Sequence, residues 1–183
     1  MNRIATSGLF VVCLVAVAVT AQQKAGKPAE TKEAKIARAL SAAPANIART
    51  AKVIDRDEKG NETVLREGTS EFTCFPGHPA VIDDIAYCAN ADALQWEADW
   101  HGHKPKPTNT QPGIEYMLVG GTYRSATDPY ATSGAPFTEA PHWIILWPFD
   151  PATTGLPTQF KQTGTWIMWA GTPYSHLMIN QHP

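Results

Sequence analysis

Hydrophobic residues along this chain fall into three patterns, and each predicts a different kind of element. The first is an unbroken apolar run over residues 9–19 (LFVVCLVAVAV), shorter than the roughly 20 residues a membrane-spanning helix needs and of the length of a signal-peptide core. The second is helical spacing. Over residues 31–43, Ala34, Ile36, Ala37, Leu40 and Ala43 lie along one side, behind Thr31 as a cap and Glu33 in the first turn, and Pro44 ends the run. Residues 90–100 repeat the pattern, with Asn90 or Asp92 as cap and Ala93, Trp96 and Trp100 on one side. The third pattern is short β-compatible runs. Residues 52–55 and 63–66 flank the turn cluster DEKGN and predict a hairpin, and residues 71–75 predict a strand with Phe72 and Cys74 on one face. Four more strands are predicted over residues 114–123, 142–147, 165–170 and 176–180, the first of them apolar on both faces apart from Glu115. Loops rich in Pro, Gly, Asp and Thr separate them, and the Pro-rich stretch 101–113 (HGHKPKPTNTQPG) is long enough to form the rim of a site. The mixture predicts an α+β fold, an antiparallel-rich sheet with at least two helices packed on it.

The apolar run changes how the rest of the chain is read. A basic start at Arg3 precedes it, and Val19 and Ala21 follow at signal-peptidase spacing, which predicts a signal peptide over residues 1–21 with cleavage before Gln22. Cys13 lies inside the run behind the bulky Val12, so it does not mark a lipidation site. Residues 22–31 are polar and aperiodic, a disordered leader, and residues 32–183 form a single globular domain. Of 15 Lys and Arg against 17 Asp and Glu, only Arg3 is lost with the signal. The mildly acidic remainder carries no nucleic-acid footprint. Later apolar runs, WIILW and WIMW, are of strand length, so no stable membrane insertion is expected after cleavage and the destination is periplasmic or secreted. In such a compartment Cys74 and Cys88 read first as a disulfide, with a zinc pair or a catalytic thiol as rivals.

No strong catalytic motif is present, and three weaker constellations remain. His101 and His103 alternate across Gly102, a pair that in an extended segment would turn both rings to one side, or else two solvated loop histidines. His142 and His176 each begin an apolar strand. With Asp128 or Glu139 they form a candidate site for a divalent metal, or one of them a general base, if their strands are neighbours; alternatively each imidazole fastens a strand to its loop. Six tryptophans supply the third. Trp96 and Trp100 are the candidate ligand-stacking pair, against a core reading of the same face, whereas strand alternation puts Trp166 and Trp169 on opposite faces. Asn61 begins a glycosylation sequon, a match frequent by chance.

Residues 35–49 (KIARALSAAPANIAR), 71–74, 113–129 (GIEYMLVGGTYRSATDP), Pro141-His142 and 166–178 (WIMWAGTPYSHLM) resemble a family of exported bacterial proteins with no assigned activity. The resemblance implies a bacterial source and an envelope or secreted location, and it carries over no catalytic residue. Three functions fit the sequence: a small-molecule or glycan binding module of the envelope, a metal-dependent enzyme using the histidines, or a structural envelope protein that packs against partners.

Overall fold

The computed structural model describes residues 30–180. The predicted signal peptide, its cleavage site and the leader up to residue 29 lie outside the described residues. The fold is α+β. In chain order the elements are α1 (Lys32–Ser41), α2 (Ala45–Ala48), β1 (Lys52–Arg56), β2 (Glu62–Arg66), β3 (Thr73–Phe75), β4 (Tyr87–Ala89), α3 (Ala91–His101) and β5 (Gly113–Met117). They continue as β6 (Gly121–Tyr123), β7 (Phe137–Glu139), β8 (His142–Leu146), α4 (Pro151–Thr154), β9 (Gly164–Met168) and β10 (His176–Asn180).

Eight strands form one sheet in the order β2-β1-β3-β4-β5-β8-β10-β9, and β6 and β7 pair separately. β1 and β3 run parallel; the other pairs are antiparallel. To reach β3 from β2 the chain crosses the start of β1. Thr69 N–H and Ser70 N–H donate to the Thr50 carbonyl there, and a Cβ on Gly68 would fall 2.2 Å from the Lys52 nitrogen, so a side chain has no room.

Alternation and register divide the sheet into two faces. Glu115, Ile144, Met178 and Trp166 stand side by side on one; Ile114, Ile145, Leu177 and Ile167 stand side by side on the other. The second face carries α1 over β1, β3 and β4. Thr31 caps this helix by accepting from Ala34 N–H at 3.2 Å. Its inner side carries the buried Ala39 and the half-buried Ile36 and Leu40, with Ala42 and Ala43 buried just past its end, turned from the predicted stripe because Ala34 and Ala37 are exposed. Alanine lets the helix lie close on the sheet, with the Cys88 sulfur 3.4 Å from the Ala39 carbonyl. Cys74 and Cys88 are directly opposed on β3 and β4 and form the expected disulfide.

The predicted strand 114–123 is two strands. β5 stops at Met117, and the chain turns through Gly120 at φ 66°, where a Cβ would fall 2.6 Å from the Glu139 carbonyl. β7 forms in a segment predicted as loop, because Gly121, Thr122 and Tyr123 find partners in Glu139, Thr138 and Phe137. β9 likewise ends early. Trp169 leaves it at φ 52°, its N–H donating to the Ala126 carbonyl at 2.9 Å, so it joins Trp166 in one core rather than facing away from it. No helix among the described residues is long and apolar enough to cross a membrane.

Candidate functional site: a cavity between the sheet and α3

The first face of the sheet is covered by α3, and the start of that helix sets how. Asn90 Oδ1 accepts from Ala93 N–H, which caps the helix, and from Ile114 N–H of β5, both at 3.0 Å. Gly113 makes the approach possible, since a Cβ there would fall 2.6 Å from Ala93 Cα. The helix is thus tied to β5 at its first turn. Its later turns carry Trp96 and Trp100, whose bulk, with the sheet below and residues 76–85 alongside, encloses a cavity of about 740 Å³. Glu115, Met117, Ile144 and Met178 form its floor; Leu94, Trp96, Glu97 and Trp100 form the helix wall; Arg56, Phe75, Ile85 and Tyr87 close the far end.

One end of the cavity is aromatic. Trp96 stacks on Trp169 with ring centres 6.0 Å apart, Trp100 lies 4.8 Å from Trp169, and the edges of Trp96 and Trp169 meet His176 at 5.3 and 4.9 Å. Trp100 Nε1 donates to the Pro129 carbonyl and Trp169 Nε1 to the Ser125 carbonyl, both at 3.0 Å. Trp96 is 1 % exposed, and its Nε1 has no hydrogen-bond partner among the described residues. The predicted stacking pair therefore lines a cavity, and Trp169 belongs with it. Strand alternation hid Trp169 because its left-handed backbone breaks the alternation.

The floor is acidic. Glu115 is also 1 % exposed, and its Oε2 has no hydrogen-bond partner among the described residues. Burial, then the charge of Glu97 on α3, pushes its carboxyl well above the usual range. Glu97 reaches His101 one turn on, at 3.3 Å. Burial, Glu97 and Glu115 raise the Tyr87 phenol in turn, against the opposing influence of Arg56. Arg56 is itself engaged, paired with Glu62 at 2.8 Å and seated over the Phe75 ring. Glu115, Glu97 and Tyr87 were not among the candidates read from sequence. The available signal was Glu115 itself, a lone carboxylate in an apolar strand.

The candidate metal ligands do not come together. β8 and β10 are antiparallel, with His142 opposite Asn180, so His176 at the other end of β10 lies about 13 Å away along the strand. His142 Nδ1 donates to the Ala140 carbonyl at 2.8 Å, and its Nε2 accepts from the Tyr123 hydroxyl at 2.9 Å. His176 Nδ1 donates to the Tyr174 carbonyl at 3.0 Å, which leaves Nε2 as the lone-pair nitrogen of a ring lining the cavity. Burial lowers both imidazoles to about 4. Glu139 sits 3.8 Å from His142 and accepts from Asn180 Nδ2 at 2.9 Å; burial lifts it to about 7 against the pull of Asn180 and Trp166. Asp128 is exposed in a loop, its Oδ1 accepting from Tyr130 N–H. Among the described residues no group of three or more His, Cys, Asp or Glu is placed to hold a metal ion. His101 and His103 are not an extended pair either. His101 ends α3 and His103 turns at φ 52° to stack on Tyr130.

What the cavity can do chemically follows from these parts. Indole rings suit a planar or ring-shaped body, and two lining residues, Trp96 and Glu115, carry buried polar atoms without partners among the described residues. No family model, curated protein or solved structure matches this chain.

Proposed function

We propose that this chain is an exported small-molecule-binding module, and that the cavity between the sheet and α3 is its binding site. One observation carries the reading. Trp96 Nε1 and Glu115 Oε2 are buried polar atoms without hydrogen-bond partners among the described residues, in residues that line the same cavity of about 740 Å³. Leaving such groups unmet costs about 1–3 kcal/mol each, a cost a bound ligand with matching groups offsets. The size suits a small organic molecule, and a mostly apolar wall with few convergent polar groups is the usual make-up of such sites.

Ligand screening by thermal shift and tryptophan fluorescence tests the proposal. A ligand is expected to raise Tm and perturb the indole emission, and Trp100→Ala is expected to weaken it about tenfold by removing one stacking face. Binding that is unchanged by Trp100→Ala and by Glu115→Gln would remove the cavity from consideration. Export is tested separately on the full-length chain in a bacterial host. The mature protein is expected in the periplasm or medium, beginning at Gln22 by mass spectrometry, and an unprocessed chain in the cytoplasm would overturn it.

A further inference from the structure

Taking the cavity as a binding site, we infer that its ligand is an organic cation, an ammonium group on an apolar body, held by Glu115 and Glu97 against the indoles of Trp96, Trp100 and Trp169. The charge around the cavity is one-sided. Asp57, Glu62, Asp83, Asp84, Glu97 and Glu115 all line it, whereas Arg56 is the one Arg or Lys among the described lining residues. Arg56 is already paired with Glu62 and lies over Phe75, so it is not placed to answer the buried carboxyl.

Two independent features turn this acidity into a site. Glu115 sits on the floor at 1 % exposure with an oxygen that has no partner among the described residues. Beside it the wall is a cluster of indoles, and the negative face of an indole attracts a cation, most strongly where water is excluded. A neutral sugar would use the stacking faces but would bring no positive charge to Glu97 or Glu115. An anion would meet Glu97 and Glu115 directly. An ammonium group satisfies both features.

The groups facing Glu115 define what binding does to its proton. They are Glu97 from α3, Tyr87 from β4 and Tyr123 from β6, with Arg56 of β1 acting on Tyr87. None supplies a strong positive charge to Glu115 directly. An ammonium ion beside Glu115 favours its carboxylate form, so the proton that burial holds on the carboxyl passes to the buffer as the cation pairs with it.

The test is a series that shares a phenyl body and differs in the charge of its headgroup: 2-phenylethylamine, 2-phenylethanol and phenylacetate, titrated calorimetrically at pH 7 in two buffers of different ionisation enthalpy. The amine is expected to bind at least tenfold more tightly than the alcohol, phenylacetate more weakly still, and amine binding to release protons to the buffer. In Glu115→Gln the tenfold preference and the proton release are both expected to disappear while the alcohol still binds. Equal or tighter binding of the alcohol, abolished by Trp100→Ala, overturns the cation and leaves the cavity reading standing. Failure of all three probes overturns the cation inference, and failure of a broader neutral and charged screen overturns the cavity reading as well. Amine preference that persists in Glu115→Gln also overturns the role given to Glu115.

Discussion

A carboxyl group as buried as Glu115 resists ionisation, and this ties stability to pH. Its folded pKa lies well above the ordinary 4.5, so below pH 4.5 folded and unfolded chains are protonated alike and its contribution is fully present. As pH rises further, the unfolded chain ionises while the folded one keeps its proton. Taken by itself, the group then lowers stability by about 1.4 kcal/mol per pH unit until it titrates in the fold. Glu139 adds the same sign up to about pH 7 and nothing beyond. Urea denaturation from pH 5 to 8 is therefore expected to show Glu115→Gln gaining stability relative to wild type as pH rises; a difference independent of pH would refute the assignment. From sequence Glu115 was visible as the odd residue of an apolar strand. Its role was not, because which face of β5 meets α3 depends on long-range pairing. The same limit applied to His142 and His176. Alternation sets each ring on a face of its own strand, but the antiparallel register that places them on one face and at opposite ends is not local.

At the level of elements, the two long helices were readable because their caps and spacings are local. The loop after α3 was readable only as a loop. Asp99 explains its order: it is buried and accepts from Thr108 N–H at 2.5 Å, Thr108 Oγ1 at 2.6 Å and Gln95 at 2.8 Å, with Lys104 at 2.6 Å. Burial alone would raise this carboxyl, yet Lys104, Thr108 and Gln95 outweigh it and hold the group at about 2. Asp99→Ala leaves those donors without their acceptor and is expected to cost about 3 kcal/mol. Hydrogen exchange provides the check, since the Thr108 amide should lose its protection before the sheet amides do. Gly120 and Gly121 mark the reverse case, where the signal for the turn is local. Gly120→Ala is expected to destabilise by about 2 kcal/mol, measured in urea, because the new methyl meets the Glu139 carbonyl at a left-handed φ. A neutral substitution there would show that the turn can shift.

For the whole molecule, the two faces of the sheet do different work, and the difference begins in side-chain size. Alanines on α1 bring that helix down onto the disulfide, which closes a 14-residue separation and is expected to contribute about 3 kcal/mol, read as the loss in a Cys74→Ala/Cys88→Ala variant. Tryptophans on α3 fill one end of the opposite face and help enclose the cavity. Its buried ionisable groups then set a pH profile that no single residue would give. His142 and His176 have folded values near 4 against an ordinary 6.5, so their contribution is present above pH 6.5 and is lost as pH falls toward 4. Glu115 and Glu139 act with the opposite sign from pH 4.5 upward. Between pH 4.5 and 6.5 the two histidines and two carboxyls therefore pull in opposite directions on unfolding, and stability should change little. Above 6.5 the histidines drop out and the carboxyls alone tilt the curve downward. Denaturant midpoints at half-unit steps from pH 4.5 to 8 are expected to trace a plateau and then a decline. His176→Gln, which keeps a polar side chain but removes one titrating group, should convert the plateau into a downward slope. A plateau that survives that substitution would mean the imidazole does not stay neutral in the fold.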